Sequence, residues 1–519
     1  MTASKENIFS QKTNTKRIAA NTLALFARMF GIMIINLYAV RILLKGMGAE
    51  DYGTYNAVAG IVLASNVITT TLAVAIQRFY SYAIGKKDYN KLRDIFSASI
   101  NIISVVSLVI ILLLETVGLW LLNWQLSIPP DRMEAAYWVF QFSLCSFLLS
   151  LIQLPYTAAI FAHEDMGFFA LFSFLECVLK LAVALLLAQS CIDKLVFYGV
   201  GVFLVSCVVF LFYFSVARKK YAECHYKRVT ERGIYKNVAS FSGWTMYSAL
   251  AAIATTQGNT VLLNIFFGSI TTAAFAISTQ IMHAFQSLGN SIVLAFRPQM
   301  IKSYAENNYS YLNRLFMTNN KLALYLLIGV SIPIATEIRT IFSWWLGDVP
   351  EETICFARLC IIYTVCLFMN APITIIVQAT GKMKQYSLWV ETIILMCLPI
   401  SFGAFQAGAP SSCAIFSLIF VSLIAHVARM VCLNKLYSHY PIKHYIFSLI
   451  APGIVIGIVT VFVSIMLHRH IYNDFIRFVS IFIAIPAVTF LQAYLIGTTK
   501  EEREQIHIQL MKILRWKKA

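Results

Sequence analysis

The chain predicts an all-α polytopic membrane protein: about fourteen transmembrane helices, arranged as two six-helix lobes plus two C-terminal helices. Three observations carry that prediction. The 519 residues are 59% hydrophobic and only 13% charged, a balance typical of membrane proteins. Apolar runs long enough to cross a bilayer recur along the whole length. Lys and Arg gather in alternate connecting segments, as the positive-inside rule requires.

The runs lie at about 18–43, 54–76, 97–122, 135–155, 168–189, 195–217, 239–266, 271–296, 321–346, 355–378, 388–407, 412–432, 446–467 and 476–497. The first carries a charge and is followed by no small-residue cleavage site, so it reads as a retained helix and not a signal peptide. The seventh and eighth meet at Gly268. If the N-terminus is cytoplasmic, 31 of the 41 Lys and Arg residues fall on the inner side and seven on the outer. The expected topology is therefore an even number of spans with both termini inside. This bias accounts for most of the net charge of +17 without a nucleic-acid partner. The expected divisions are 1–217 for the first lobe, 218–238 for an inner linker and 239–432 for the second lobe. Residues 433–497 supply the two extra helices, and 498–519 form a basic tail. Ile506, Leu510, Ile513 and Leu514 recur there at helical spacing beside Lys512 and Arg515, the pattern of a helix lying on a membrane surface.

The two lobes repeat. Shifted by 220 residues, Tyr89, Leu92 and Phe96 fall on Tyr309, Leu312 and Phe316, and Gly48 falls on Gly268. Shifted by 217, residues 154–166 fall on 371–383, aligning Pro155 with Pro372 and Thr157 with Thr374. Six helices per repeat gives both lobes the same orientation. Two such bundles rocking about a central site form a transporter architecture.

Candidate site residues are the polar and charged groups inside the spans. Arg28 stands near the middle of the first run, where a guanidinium costs roughly 3 kcal/mol in hydrocarbon and usually faces a protein interior or aqueous cavity. Asn66, Thr70 and Gln77 line one face of the second span. Ser248, Thr255 and Asn259 do so in the seventh, and His283, Gln286 and Asn290 in the eighth. The 220-residue shift places Arg28 on Ser248, so the stripes predict a cavity that is cationic in one lobe and neutral-polar in the other. Ser, Thr and Asn also glue helices together, and that bland role competes at every position. Glu176 and Lys180, four apart, can pair on one helix face. Glu391 occupies the corresponding region of the second lobe. Either acid is an ion-pair or coupling-site candidate.

No nucleotide-binding, hydrolase or zinc-peptidase motif is present, which argues against an enzyme and against ATP-driven transport. His163, Glu164 and Asp165 form a lone inner-loop cluster, too little to predict a metal. Most of the eleven cysteines sit in apolar runs and show no paired spacing.

Five stretches carry a family resemblance: GMGAEDYGTYNAVAGIV (46–62), RFYSYAIGKKDYNKLRDIF (78–96), IPPDRMEAA (128–136), LPYTAAIFAHEDM (154–166) and VQATGKM (377–383). With them the chain resembles the polysaccharide-transporter branch of the multidrug/oligosaccharidyl-lipid/polysaccharide (MOP) flippase superfamily. That resemblance implies a flippase moving an undecaprenyl-diphosphate-linked oligosaccharide across a bacterial cytoplasmic membrane for surface-polysaccharide assembly. It implies no cofactor and no metal, with the lipid-linked glycan, membrane lipids and other assembly proteins as partners and a monomer as the working form. Arg28, Arg78 and Arg297 match basic residues of the family that meet the diphosphate, and Lys180 is added as a further cavity cation on its position alone. An arginine fork suits phosphate. A negative cell interior favours outward movement of anionic charge by about 2.3 kcal/mol per charge per 100 mV. Competing readings are a drug or toxin cation antiporter of the same superfamily, which needs an acidic cavity, and a membrane polysaccharide polymerase or ligase. The latter resembles chains with a large outer loop, and every outer loop here is short.

Overall fold

A computed structural model describes residues 25–29, 31–36, 38–39, 42–43, 45–63, 65–124, 128–187, 193–229, 231–346, 351–440, 442–499 and 502–504. The predicted surface helix of the tail lies outside the described residues. Twelve helices among those described are long and apolar enough to cross a membrane. Two of the fourteen predicted spans are not among the twelve. The first is represented by the shorter apolar helix Leu25–Asn36. The eighth is fully helical, but His283, Gln286, Asn290 and Arg297 make it too polar to stand with the rest. Inner and outer are used below in the sense set by the Lys and Arg bias.

The chain divides into two compact units, residues 1–250 with 294–307, and residues 251–293 with 308–519. This boundary differs from the expected one. Helix Arg232–Ala305 begins inside the expected linker and is broken at Gly268, whose φ of 83° interrupts the helix. The inner ends of its two arms both group with the first unit.

In the first unit, helix Met133–Ala162 is the central post. Helices Ala49–Leu63, Asn66–Gly85, Tyr89–Leu113, Met166–Leu186 and Lys194–Lys220 pack around it. Its inner half is rich in small residues, and Ala158, Ala159 and Ala162 are buried. Small side chains let helix backbones approach closely where lipid supplies no hydrophobic drive. In the second unit, Glu351–Thr380 packs against Cys413–Leu436 and Tyr309–Thr336. The last two helices, Ala451–His470 and Asp474–Gln492, pair with each other and both lie on Tyr309–Thr336. That explains why Tyr309–Thr336 is buried nearly all round.

Backbone geometry repeats along the chain at the spacings of the aligned residues. Gly48 and Gly268, 220 residues apart, have φ of 86° and 83°. Lys87 and Asn307, also 220 apart, both have φ of 57°, and each is followed by a capping residue. Asp88 accepts from the Lys91 amide at 3.0 Å, and Asn308 from the Tyr311 amide at 3.2 Å. Glu164 and Gly381, 217 apart, have φ of 63° and 78°. Every one of these pairs sits at a turn between helices, where the left-handed conformation ends one helix and redirects the chain.

A three-point tie also recurs. In the first unit Arg132 pairs with Asp51 at 2.7 Å and with Asp193 at 2.5 Å. In the second, Glu352 accepts from Thr271 at 2.8 Å and from Ser411 at 3.3 Å. The bridging residues are 220 apart, as are Asp51 and Thr271. The same three helix ends are joined in both units, but the central charge is inverted.

Candidate functional site

Helix Leu25–Asn36 carries Arg28 and leans on helix Met166–Leu186 through a short series of contacts. The Arg28 guanidinium lies 4.6 Å from the centre of the Phe169 ring. A Cβ at Gly31 would stand 3.0 Å from the Phe174 ring, so the two helices approach closely there. Asn36 Oδ1 meets Cys177 Sγ at 3.3 Å. Arg28 is half-buried, and its Nε is shielded from solvent with no hydrogen-bond partner among the described residues. A buried guanidinium N–H without an acceptor is costly. Glu176 and Tyr213 lie within electrostatic reach of Arg28. Glu176 is nevertheless engaged by another cation: its Oε1 accepts from Lys180 Nζ at 2.6 Å. The expected pair on one helix face is therefore formed. Lys180, expected from sequence as a further cavity cation, is held by its neighbour, while both side chains remain 38% exposed.

Arg78 ends the second span within a cage of rings, 4.6 Å from Phe79, 5.1 Å from Tyr82 and 5.5 Å from Phe241. It is only 8% exposed. Arg297 is half-buried at the inner end of the eighth span. In this conformation the aromatic cage, more than any aqueous opening, surrounds Arg78.

The polar stripes divide into two groups. Asn66 and Thr70 are exposed on one face of helix Asn66–Gly85, while Gln77, further along, is buried. His283 and Asn290 are exposed on the eighth span, and Gln286 lies 3.3 Å from the His283 ring nitrogen. Ser248 is half-buried. Thr255 and Asn259, expected to line the cavity, are instead buried in the second unit at 1% and 0% exposure. Asn259 Nδ2 donates to the Thr255 carbonyl at 2.9 Å and approaches Cys397 Sγ at 3.7 Å. Helix 397–406 packs over that face, so this pair takes the helix-gluing role.

Sequence reasoning missed a polar cluster inside the second unit. Arg429 Nε donates to Tyr386 Oη at 2.8 Å, and Tyr386 Oη lies 2.8 Å from Thr374 Oγ1. His426 Nδ1 is 2.6 Å from Asn370 Oδ1. Glu391, buried in the same region, interacts electrostatically with Arg429. The available signal was His426 and Arg429 spaced three apart inside an apolar run, with the helix continuing to Leu436. Among the described residues no group of three or more His, Cys, Asp and Glu side chains is arranged to hold a metal. His163, Glu164 and Asp165 each bind a separate partner.

No family model matches the chain, and no curated protein does. Solved structures do. A crystal structure of a MATE transporter in complex with MaD3S superposes with a TM-score of 0.71 at 14% identity, covering 82% of this chain and 97% of that one. An outward-facing multidrug-resistance MATE transporter of the MOP superfamily gives 0.70 at 14% identity, over 82% and 96%. A MOP-superfamily transporter from Pyrococcus furiosus, described as having a binding pocket of reverse polarity that suggests a different function, gives 0.67 at 14% identity over 82% and 96%. The chain has the fold these transporters share.

Proposed function

We propose that the chain is a secondary transporter of the MOP type that flips an undecaprenyl-diphosphate-linked oligosaccharide across a bacterial cytoplasmic membrane by alternating access. The observation that carries this reading is Arg28: a half-buried intramembrane guanidinium with a shielded Nε that no acceptor among the described residues satisfies. A diphosphate supplies the missing acceptor and cancels the charge. The exposed polar residues Asn66, Thr70, His283 and Asn290 suit sugar hydroxyls, which need donors and acceptors but no net charge. Arg78 and Arg297 then serve the diphosphate at the inner ends of their spans, and surface-polysaccharide assembly proteins and membrane lipids are the expected partners.

The cation-antiporter reading draws less support. It needs an acidic site open to a cationic substrate. Glu176 is paired with Lys180 at 2.6 Å, and Glu391 is buried beside Arg429. Each of these two candidate carboxylates thus has a cation beside it. The test in cells is deletion of the protein followed by identification of the lipid-linked glycan that accumulates on the inner leaflet, with complementation by wild type and by Arg28→Ala. Complementation by Arg28→Ala at normal protein level would remove the proposed role.

A further inference from the structure

The turn formed by His163, Glu164 and Asp165 is tied on two sides. His163 Nε2 meets Glu223 Oε1 at 2.6 Å, and the His163 ring stacks on Tyr221 with centroids 4.4 Å apart. Asp165 accepts from Tyr221 Oη at 2.5 Å and pairs with Lys220 at 2.8 Å. Glu164 faces the other way. Its Oε2 accepts from Gln299 Nε2 at 2.8 Å, and its Oε1 from Lys302 Nζ at 2.6 Å. Glu164 is 2% exposed, and Lys302 is 13% exposed. The turn therefore joins the segment after the sixth span to the inner end of the eighth.

Two features show that this carboxylate is held at a cost. Glu164 has φ of 63°, a conformation that suits glycine and strains a residue with a Cβ. The equivalent position of the second unit, 217 residues on, is Gly381 with φ of 78°. The fold thus needs a left-handed residue there but no side chain, and only the first unit places a buried carboxylate on it. Strain of this kind, retained where glycine would serve, points to function.

What Glu164 holds is also singular. Residues 294–307 group with the first unit, whereas the outer part of the same helix groups with the second. Glu164, Gln299 and Lys302 are part of what fastens that inner end to the first unit. We propose that Glu164 is a latch: its grip on Gln299 and Lys302 keeps the inner end of the eighth span closed against the first unit, and the cytoplasmic side opens when the grip is released. This rests on the alternating-access reading above, because a latch matters only in a protein that opens.

The test uses a cysteine in place of Ser303, which is 1% exposed one residue past Lys302. Full-length protein in inside-out membrane vesicles is treated with a membrane-impermeant maleimide, and labelling is read site by site by mass spectrometry so that the eleven native cysteines do not interfere. Glu164→Gly removes the carboxylate and relieves the backbone, as Gly381 does in the other unit, so its folding should be retained. Lys302→Met breaks the same contact from the other side. Labelling at position 303 should accelerate about tenfold or more in both variants, the shift in open population expected from losing one charge-assisted hydrogen bond. Equal rates in wild type and in either folded variant would overturn the latch. The two proposals fail separately. Unchanged labelling beside intact dependence of glycan movement on Arg28 sinks only the latch. Accelerated labelling in a protein that moves no lipid-linked glycan sinks only the substrate reading.

Discussion

Arg477 grips Glu337 with two nitrogens, Nε at 2.8 Å and Nη2 at 3.2 Å, and so ties the outer end of the last helix to the residue that follows helix Tyr309–Thr336. Glu337 is fully buried and also accepts from Thr340 at 2.7 Å and meets His468 Nδ1 at 2.8 Å. One carboxylate thereby gathers both extra helices onto the second unit, in the way Arg132 gathers helix ends in the first.

A pH dependence follows from that clasp. Burial pushes the Glu337 carboxyl up, but the hydrogen bonds from Arg477, Thr340 and His468 together hold it below its usual 4.5. A carboxyl depressed in the folded state stabilises the fold fully above the unfolded value, and that contribution is lost as pH falls through the folded value. Melting of the purified protein in detergent should therefore drop below about pH 4.5, and Glu337→Gln should flatten that part of the profile. At pH 7, Glu337→Ala should cost about 3 kcal/mol, because it leaves Arg477 without its buried partner. An unchanged acid limb in Glu337→Gln would show that the clasp does not set it.

Gly85 offers a packing test. A Cβ there would lie 2.8 Å from the Lys302 carbonyl oxygen and 3.0 Å from Lys302 Cα, both backbone atoms that cannot yield cheaply. Gly85→Ala should destabilise by about 1–3 kcal/mol, the usual cost of overpacking. A Cβ at Gly457, in helix Ala451–His470, meets nothing within 4 Å, so Gly457→Ala should stabilise by up to about 1 kcal/mol. Thermal unfolding of the two variants side by side decides the matter, and equal behaviour would contradict the close approach at Gly85.

Arg429 is 5% exposed and Glu391 7%. Arg429→Met removes the guanidinium that interacts electrostatically with Glu391 and should destabilise the fold by about 3 kcal/mol. Adding Glu391→Gln to Arg429→Met should restore much of that loss. A double variant no more stable than the single one would show that the two charges do not depend on each other.

How much of this was legible in the sequence depended on whether a physical requirement left a mark in residue type. Gly48 and Gly268 could be aligned because a left-handed turn favours glycine. The turns at Lys87 and Asn307, and at Glu164, carry the same backbone on residues that do not announce it. The Glu176–Lys180 pair was readable because its partners are one helical turn apart. Glu391 and Arg429 lie on different helices, so their meeting depends on tertiary packing that periodicity does not encode. Thr255 and Asn259 share the polar stripe of the seventh span, yet nothing in a single helix says that helix 397–406 covers that face. The eighth span shows its polarity plainly, but the contacts of its inner end within the first unit, Glu164 to Gln299 and Lys302 among them, join residues far apart in sequence.

The most direct test of the central claim is transbilayer movement in proteoliposomes holding only the purified protein and a labelled undecaprenyl-diphosphate-linked oligosaccharide. The account predicts that wild type moves the lipid across the bilayer, that Arg28→Ala is slower by about ten- to a hundredfold, the loss of a hydrogen bond to a charged group, and that Arg28→Lys falls between. Movement by Arg28→Ala at the wild-type rate, or none by wild type, would contradict it.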